Sequence, residues 1–257
     1  MKGGIINARE MQMEFERRIT LMNPDFELKE KLTSDTIFSF LNAYTERYVR
    51  INYLSEDQVA DNTRALKKVQ DSLKGLIVRD IFNVLEKDSN NSDDTTDRIE
   101  LPADYFLYIR SNSILSKNYK MEEEIVEPNN YIVTPNKTIR EDDVDKVIST
   151  YYNKAILLNP YAVLNSGNAT SDNGKLFLNI IHDKYTTIKK VDLVYYRKPK
   201  KFDVIGVDGV NVLDHCELPE NVHMEIVEGA VEMFITEAKY RLAGRNNNNK
   251  STEQTNQ

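Results

Sequence analysis

The chain has 257 residues, of which 40% are hydrophobic and 29% charged, with a formal net charge of −7. That is enough apolar material for a core, and the acidic balance argues against a dedicated nucleic-acid binder, which carries a basic footprint to neutralise phosphates. One cysteine, Cys216, excludes an intrachain disulfide, and one Cys with three His falls short of the usual structural zinc set.

The first ninety residues read as helix. Asn7 caps a helix running to about Met22, with Met11, Phe15, Ile19 and Met22 at helical spacing. Ser34 opens a second helix, whose apolar face carries Ile37, Phe38, Leu41, Tyr44, Tyr48 and Ile51. Ser55 opens a third, expected to run unbroken to Lys87 on a stripe of Val59, Leu66, Val69, Leu73, Leu76, Ile77, Ile81, Val84 and Leu85. At full length it would span on the order of 45 Å. Residues 1–87 are therefore assigned to a helical domain.

From Asp88 the chemistry changes. DSNNSDDTTD at 88–97 holds no apolar residue and reads as a flexible loop. Strands are then expected at 98–101, 105–113, 130–133, 155–158, 162–164, 176–182 and 189–197. They are short runs rich in Ile, Val and Tyr, bounded by Pro, Asn, Gly and Asp. Residues 142–152 interrupt them as a short helix. SGNATSDNG at 166–174 has the composition of a hairpin loop, with Asn173-Gly174 as the turn signal. Residues 98–205 are expected to form a β-rich, sandwich-like insertion.

Leu218-Pro219-Glu220 opens the last helix, where Pro suits a first turn. Val222, Ile226, Val227, Ala230, Val231, Phe234, Ile235, Ala238 and Leu242 form one apolar stripe, and Ala243-Gly244 is expected to end it. This helix takes 216–244, and RNNNNKSTEQTNQ at 245–257 reads as a low-complexity polar tail. The fold class that follows is α+β. A helical bundle from the N-terminal helices and the C-terminal helix carries the β-rich domain between them. No repeat of fixed period occurs. MKGGIINARE lacks an apolar signal region, and no stretch approaches about 20 apolar residues, so neither a secretory signal nor a membrane span is expected. A reducing cytoplasm, or a particle assembled there, is the expected setting.

The motifs of common enzymes are missing from the sequence. There is no phosphate-binding GxxxxGK loop, no GxSxG elbow, no HExxH pair and no kinase set. VIGVDGV at 204–210 has the wrong spacing for a dinucleotide turn and reads as a β-turn. His215, Cys216 and His223, with Glu220 nearby, are the one cluster of candidate metal ligands. Their spacing matches no known ligand set, and a loop ahead of a helix explains them better. His182 stands alone at a strand end and reads as a sheet-edge side chain. Glu122–Glu124, Glu141–Asp143 and Asp93-Asp94 are runs of adjacent carboxylates, which point different ways on a regular backbone and read as solvated surface. Arg197-Lys198-Pro199-Lys200-Lys201 is the local positive patch. It suits phosphate or an acidic partner, but an exposed strand end blunted by Lys and Pro is the favoured reading. The chain is thus read as non-enzymatic, with no cofactor and no metal.

Three segments carry a family likeness. RIELPADYFLYIRSNSIL at 98–115 resembles the strand that opens the β region of phage connector and tail proteins, through its Leu-Pro-x-Asp-Tyr run. VYYRKPKKFD at 194–203 is similar to the matching late strand, and ELPENVHMEIVEGAVEMFITEAKYRL at 217–242 to the closing helix. Together they make the chain resemble the head-to-tail connector family of short-tailed bacteriophages, the adaptor, tail tubular or ring proteins, and in particular the ring proteins of crAss-like phages.

The resemblance implies a structural virion protein. It implies a ring, dodecameric in such families, stacked on the portal protein, extending the DNA channel and seating the next tail or ring protein. Genomic DNA would pass without specific binding, there is no membrane in this role, and assembly takes place in the host cytoplasm. No catalytic residues come with the family. Candidate partner contacts are Ile5 and Ile6 as apolar anchors, Lys198, Lys200 and Lys201 as cations, and the amides of Asn246, Asn247, Asn248 and Asn249. Met1–Asn7 and 245–257 are expected to order only in the assembly. The alternatives are another tail subunit, such as a fibre adaptor or lower ring, a cytoplasmic binding module outside viruses, and an enzyme whose site follows no motif.

Overall fold

The computed structural model describes residues 7–22, 32–58, 71–85, 95–117, 131–149, 159–166, 175–183, 186–203 and 213–253. The fold is α+β, and the chain divides into two compact units. One comprises Met1–Leu76 with Lys198–Gln257, and the other Ile77–Arg197.

The first unit holds α1 (Ala8–Met22), α2 (Ser34–Gln58) and a long closing helix. Asn7 caps α1 as the sequence suggests. Its Oδ1 accepts from the Glu10 amide at 2.9 Å, while its own amide donates to Glu10 Oε2 at 3.1 Å, a reciprocal capping box. The cap of α2 falls one residue earlier than expected. Thr33 Oγ1 accepts from the Thr36 amide at 3.3 Å, and the Thr33 carbonyl accepts from Ile37 at 3.1 Å. Met11, Phe15 and Ile19 of α1 and Ile37, Phe38, Leu41, Tyr48 and Val49 of α2 are buried. Met22 and Ile51, which match the stripes by spacing, are half exposed.

The closing helix packs against both α1 and α2 through Val222, Ile226, Val227, Ala230 and Val231, all buried. Phe234, next on the stripe, is only partly buried. It meets Phe15 and Phe40 edge-on, with centroids 6.1 and 5.3 Å apart. The helix runs over Glu220–Glu253, which corrects both the stop expected at Ala243-Gly244 and the polar tail expected from 245, as far as residue 253. A single Gly costs a helix only about 1 kcal/mol, and no Pro follows to end it. Residues 254–257 lie outside the described residues.

The third helix is the main correction. Helical residues 71–73 pass into a 3-10 turn at Lys74–Leu76, and β1 (Ile77–Asn83) follows. Residues 59–70 lie outside the described residues. Apolar residues four apart satisfy both a helical period and a strand period of two, so Ile77 and Ile81 fit either reading. The strand turns Val78, Phe82 and then Val84 to the core, and leaves Ile77, Ile81 and Leu85 exposed at 39%, 54% and 40%.

Among the described residues the second unit has two four-stranded sheets. β2 (Thr96–Glu100), β3 (Tyr105–Lys117), β4 (Tyr131–Pro135), β5 (Lys137–Thr138), β6 (Tyr161–Ser166), β7 (Leu176–Ile181) and β8 (Thr186–Arg197) join β1 in the orders β1-β8-β3-β4 and β2-β7-β6-β5. Every pairing is antiparallel except β5 with β6. Leu115, Ile188, Val191, Leu193 and Tyr195 of the first sheet and Ile99, Ala162, Leu178 and Ile180 of the second share one core, so the sheets face each other. β2 begins two residues inside the expected loop, at Thr96. The strand expected at 155–158 lies outside the described residues. A short helix α3 (Val144–Ser149), following a 3-10 turn at Glu141–Asp143, takes the place of the helix expected over 142–152, and Val144 packs on Val163 and Ile181 behind the second sheet.

The chain changes sheets at Asn136, between β4 and β5. Its amide donates to Ser111 O at 3.0 Å, its Nδ2 to Ser111 Oγ at 2.8 Å, and its Oδ1 accepts from Ser113 Oγ at 2.6 Å. These bonds satisfy the polar groups of a strand that crosses a core.

The helical unit can be tested at its tightest contact. A Cβ on Gly229 would lie 1.8 Å from Tyr44 Cζ. Gly→Ala inside a helix normally gains about 1 kcal/mol; here overpacking should turn that into a loss of about 1–3 kcal/mol. In a Tyr44→Ala background the same change should be neutral or stabilising. Urea midpoints that move equally in both backgrounds would contradict this.

Glu14 binds Arg17 at 2.7 and 2.6 Å and Arg18 at 2.8 Å, and Arg18 reaches Glu228 of the closing helix. The two guanidiniums hold the Glu14 carboxyl at about 2. A depressed carboxyl stabilises the fold above its unfolded value of about 4.5, and that contribution is lost as pH falls toward about 2. Glu14→Gln should therefore cost about 0.5–1 kcal/mol at neutral pH. The gap to wild type should close on acidification below about pH 4.5, and a gap unchanged at about pH 3 would contradict it.

Candidate functional site

The segments at 98–115, 194–203 and 217–242 follow one another along a path of bonded contacts and chain continuity. Leu101-Pro102-Ala103-Asp104-Tyr105 is the crossing from β2 to β3. Leu101 is buried and its amide donates to Leu176 O at 3.0 Å; Tyr105 closes a turn onto Pro102 O at 3.0 Å. Asp104 Oδ1 accepts from the Tyr195 hydroxyl at 3.0 Å, and the rings of Tyr105 and Tyr195 lie 5.7 Å apart. Burial, with the Asp104 carboxylate beside it, pushes the Tyr195 hydroxyl up to about 12. The crossing is thus bonded to β8, the strand that opens VYYRKPKKFD.

The rest of that segment returns the chain to the helical unit. Asn42 on α2 accepts from the Phe202 amide at 3.1 Å through Oδ1 and donates to Phe202 O at 3.0 Å through Nδ2, a two-way clamp. Phe202 is buried against Phe38, centroids 5.9 Å apart. Lys198 pairs with Glu46 at 3.1 Å, Pro199 is buried, and the Lys200 amide donates to Glu217 Oε2 at 2.9 Å, just ahead of the closing helix. Lys201 is exposed. Of the candidate contact cations, Lys198 already has a partner within the chain. Asn246–Asn249 lie on the last turns of the closing helix, α4 (Glu220–Glu253). Ile5 and Ile6 lie outside the described residues.

The histidine and cysteine cluster does not gather. His215 is exposed, with Nδ1 2.6 Å from Asp214 Oδ1, and it bridges to Asn7 at the start of α1. Cys216 is buried, which pushes its thiol up to about 11 and leaves little thiolate at neutral pH. His223 is buried on α4, and its Nε2 donates to Leu218 O at 2.7 Å. Among the described residues no three His, Cys, Asp or Glu side chains are placed to hold a metal ion. Glu141–Asp143 form an exposed 3-10 turn, where Asp143 pairs with Lys146 at 2.7 Å. The runs at 93–94 and 122–124 lie outside the described residues. No helix among the described residues is long and apolar enough to cross a membrane.

Sequence reasoning missed a buried pair. His182 is not a sheet-edge side chain; it is 4% exposed, and its Nε2 lies 3.1 Å from Asp97 Oδ2. The same oxygen accepts from the Ile188 amide at 3.2 Å, so a carboxylate on β2 holds the start of β8 in the other sheet. The strand period was the available signal. Continuing β2 back from Ile99 by two places turns Asp97 inward.

The outer face of the first sheet is also new. Cross-strand pairing sets Arg79 and Ile81 of β1, Lys190 of β8, Arg110 and Ile114 of β3 and Val133 of β4 on one side. Arg79 holds the buried Asp192 through two bonds of 2.8 and 2.7 Å, and Asn112 adds a third of 3.2 Å. Arg79 is first among the causes that keep the Asp192 carboxyl below the ordinary range.

No protein-family model matches the chain, and no curated protein matches it in sequence.

Asp97→Ala strands the buried Ile188 amide and should cost about 1–3 kcal/mol. Asp97→Asn keeps an acceptor and should cost less. Equal losses of thermal midpoint in the two variants would show that the carboxylate oxygen does not join the sheets.

Proposed function

We propose that this chain is a structural ring subunit of the head-to-tail connector of a short-tailed bacteriophage. In that role it stacks on the portal, extends the DNA channel and seats the next tail component. The observation that carries the reading is the continuity of the three resembling segments. Asp104 binds Tyr195, β8 runs into the return segment, and that segment is clamped by Asn42 and by Glu217 at the head of α4. Residues that resemble one family in three separate places are thereby parts of one connected piece of structure.

The physical chemistry suits the role. A wall that lets DNA slide does best without cationic grip, and the chain carries a net charge of −7. Closed rings are built from heterologous contacts between different surfaces of identical subunits. Exposed Met13, Leu21 and Met22 on α1 and Ile81 and Val133 on the first sheet offer apolar material for such contacts. In this reading Lys201 and the Asn246–Asn249 turns of α4 face neighbours, and the work of the protein is positional, with no catalysis, cofactor or metal. The particle is its place of action, after assembly in the host cytoplasm.

Electron micrographs of the purified protein mixed with a portal ring test this. The expected image is a second ring stacked coaxially on the portal. Portal rings that remain bare, beside a chain that forms no ring of its own, would contradict it.

A further inference from the structure

The outer face of the first sheet differs in charge from the chain as a whole. Its rows, read across β4, β3, β8 and β1, set Val133 beside Ile114 and Lys190, and Arg110 beside Val194 and Arg79. Ile81 and Val133 are 54% and 62% exposed, and Arg79, Arg110 and Lys190 are exposed. The carboxylate on this face among the described residues is Asp192, and it is buried under Arg79. The face is therefore apolar and cationic in a chain of net charge −7.

α4 carries the opposite pattern. Glu225, Glu228 and Glu232 recur at helical spacing on its exposed side, with Met224 39% exposed beside them. Arg18 takes Glu228, and among the described residues no ion pair takes Glu225 or Glu232. Burial raises the Tyr44 hydroxyl above its ordinary value, and the nearby charges of Glu225, Glu232 and Glu228 raise it further against Arg47 of α2, which lowers it.

We infer that the cationic outer face of the first sheet binds the Glu225–Glu232 face of α4 on a second copy of this chain. The inference rests on the ring reading and supplies its two surfaces. Two like faces would repel across a symmetric dimer, whereas sheet on helix sets Arg110 and Lys190 toward Glu225 and Glu232, the charges on each face that no ion pair among the described residues takes. Because the two surfaces lie on different units of the chain, each copy binds one neighbour through its sheet and another through its helix. Such a contact propagates head to tail, and the ring reading requires that its rotation close. Complementary charge sets the register, and the apolar side chains supply the burial.

Charge reversal tests the pairing through sedimentation equilibrium of the full chain, with circular dichroism to confirm folding. Arg110→Glu with Lys190→Glu should weaken self-association at least ~10-fold, and so should Glu225→Lys with Glu232→Lys. An equimolar mixture of the two reversed proteins should associate again, since the acidic sheet of one then meets the basic helix of the other. The chain with all four reversals should recover as well. A wild-type chain that stays monomeric, or an association that ignores the reversals, or a mixture that fails to recover, would overturn the pairing. If such a charge-indifferent chain still stacks on a portal ring, the connector reading stands and only this pair of surfaces is removed.

Discussion

The antiparallel pairing of β1 with β8 is the constraint on which the rest depends. It sets Ile77 opposite Tyr196, so the chain enters and leaves the β unit side by side. A unit with neighbouring ends can be inserted into another fold without pulling that fold apart. α1, α2 and α4 can then build one core from segments separated by the whole of Ile77–Arg197. If β1 were helix, as the apolar spacing suggests, β8 would be an edge strand and the two ends would have no reason to meet.

Polar clamps hold this arrangement at the points where the chain changes layer. Asn136 marks the crossing from one sheet to the other, Asp97 fastens β8 to β2, and Asn42 fixes the return segment to α2. Each satisfies backbone groups that have left a regular ladder, and an unpaired buried group of that kind costs about 1–3 kcal/mol. The same groups add specificity. An apolar core tolerates sliding, whereas a carboxylate that must find one amide does not.

The legible parts of the fold are the local ones. The Asn7 capping box and the first turns of the α1 and α4 stripes, Met11 to Ile19 and Val222 to Val231, are set by residues a few places apart, and there the sequence reading agrees with the structure. β6 and β7 pair antiparallel as a hairpin requires, while the turn expected at Asn173-Gly174 lies outside the described residues. β1 reads as helix because Ile77 and Ile81 fit two periods at once, and the choice between them lies in β8, more than a hundred residues away. The length of α4 escapes the sequence because a glycine ends a helix only when the next residues turn away, and nothing local forces that turn. The clamps are illegible for a related reason. Asp97 meets an amide 91 residues on, and Asn42 one 160 residues on. Asp97 is also hidden at the end of a polar run. The basic segment at 197–201 shows the converse case. Its favoured reading is an exposed strand end, and Lys198, Lys200 and Lys201 are indeed exposed, but Pro199 among them and Phe202 just beyond are buried, which charge alone does not signal.

The segments that carry the resemblance lie along one path, from Leu101-Pro102 through β8 and the return segment to α4. That path is held by polar clamps at Asp104–Tyr195 and Asn42–Phe202. We propose that the chain acts by assembling. Native mass spectrometry of the full chain together with a portal ring tests it most directly. A single closed stoichiometry of this chain on the portal is the predicted result. A spectrum holding free portal and monomeric chain alone, across concentrations, would contradict it.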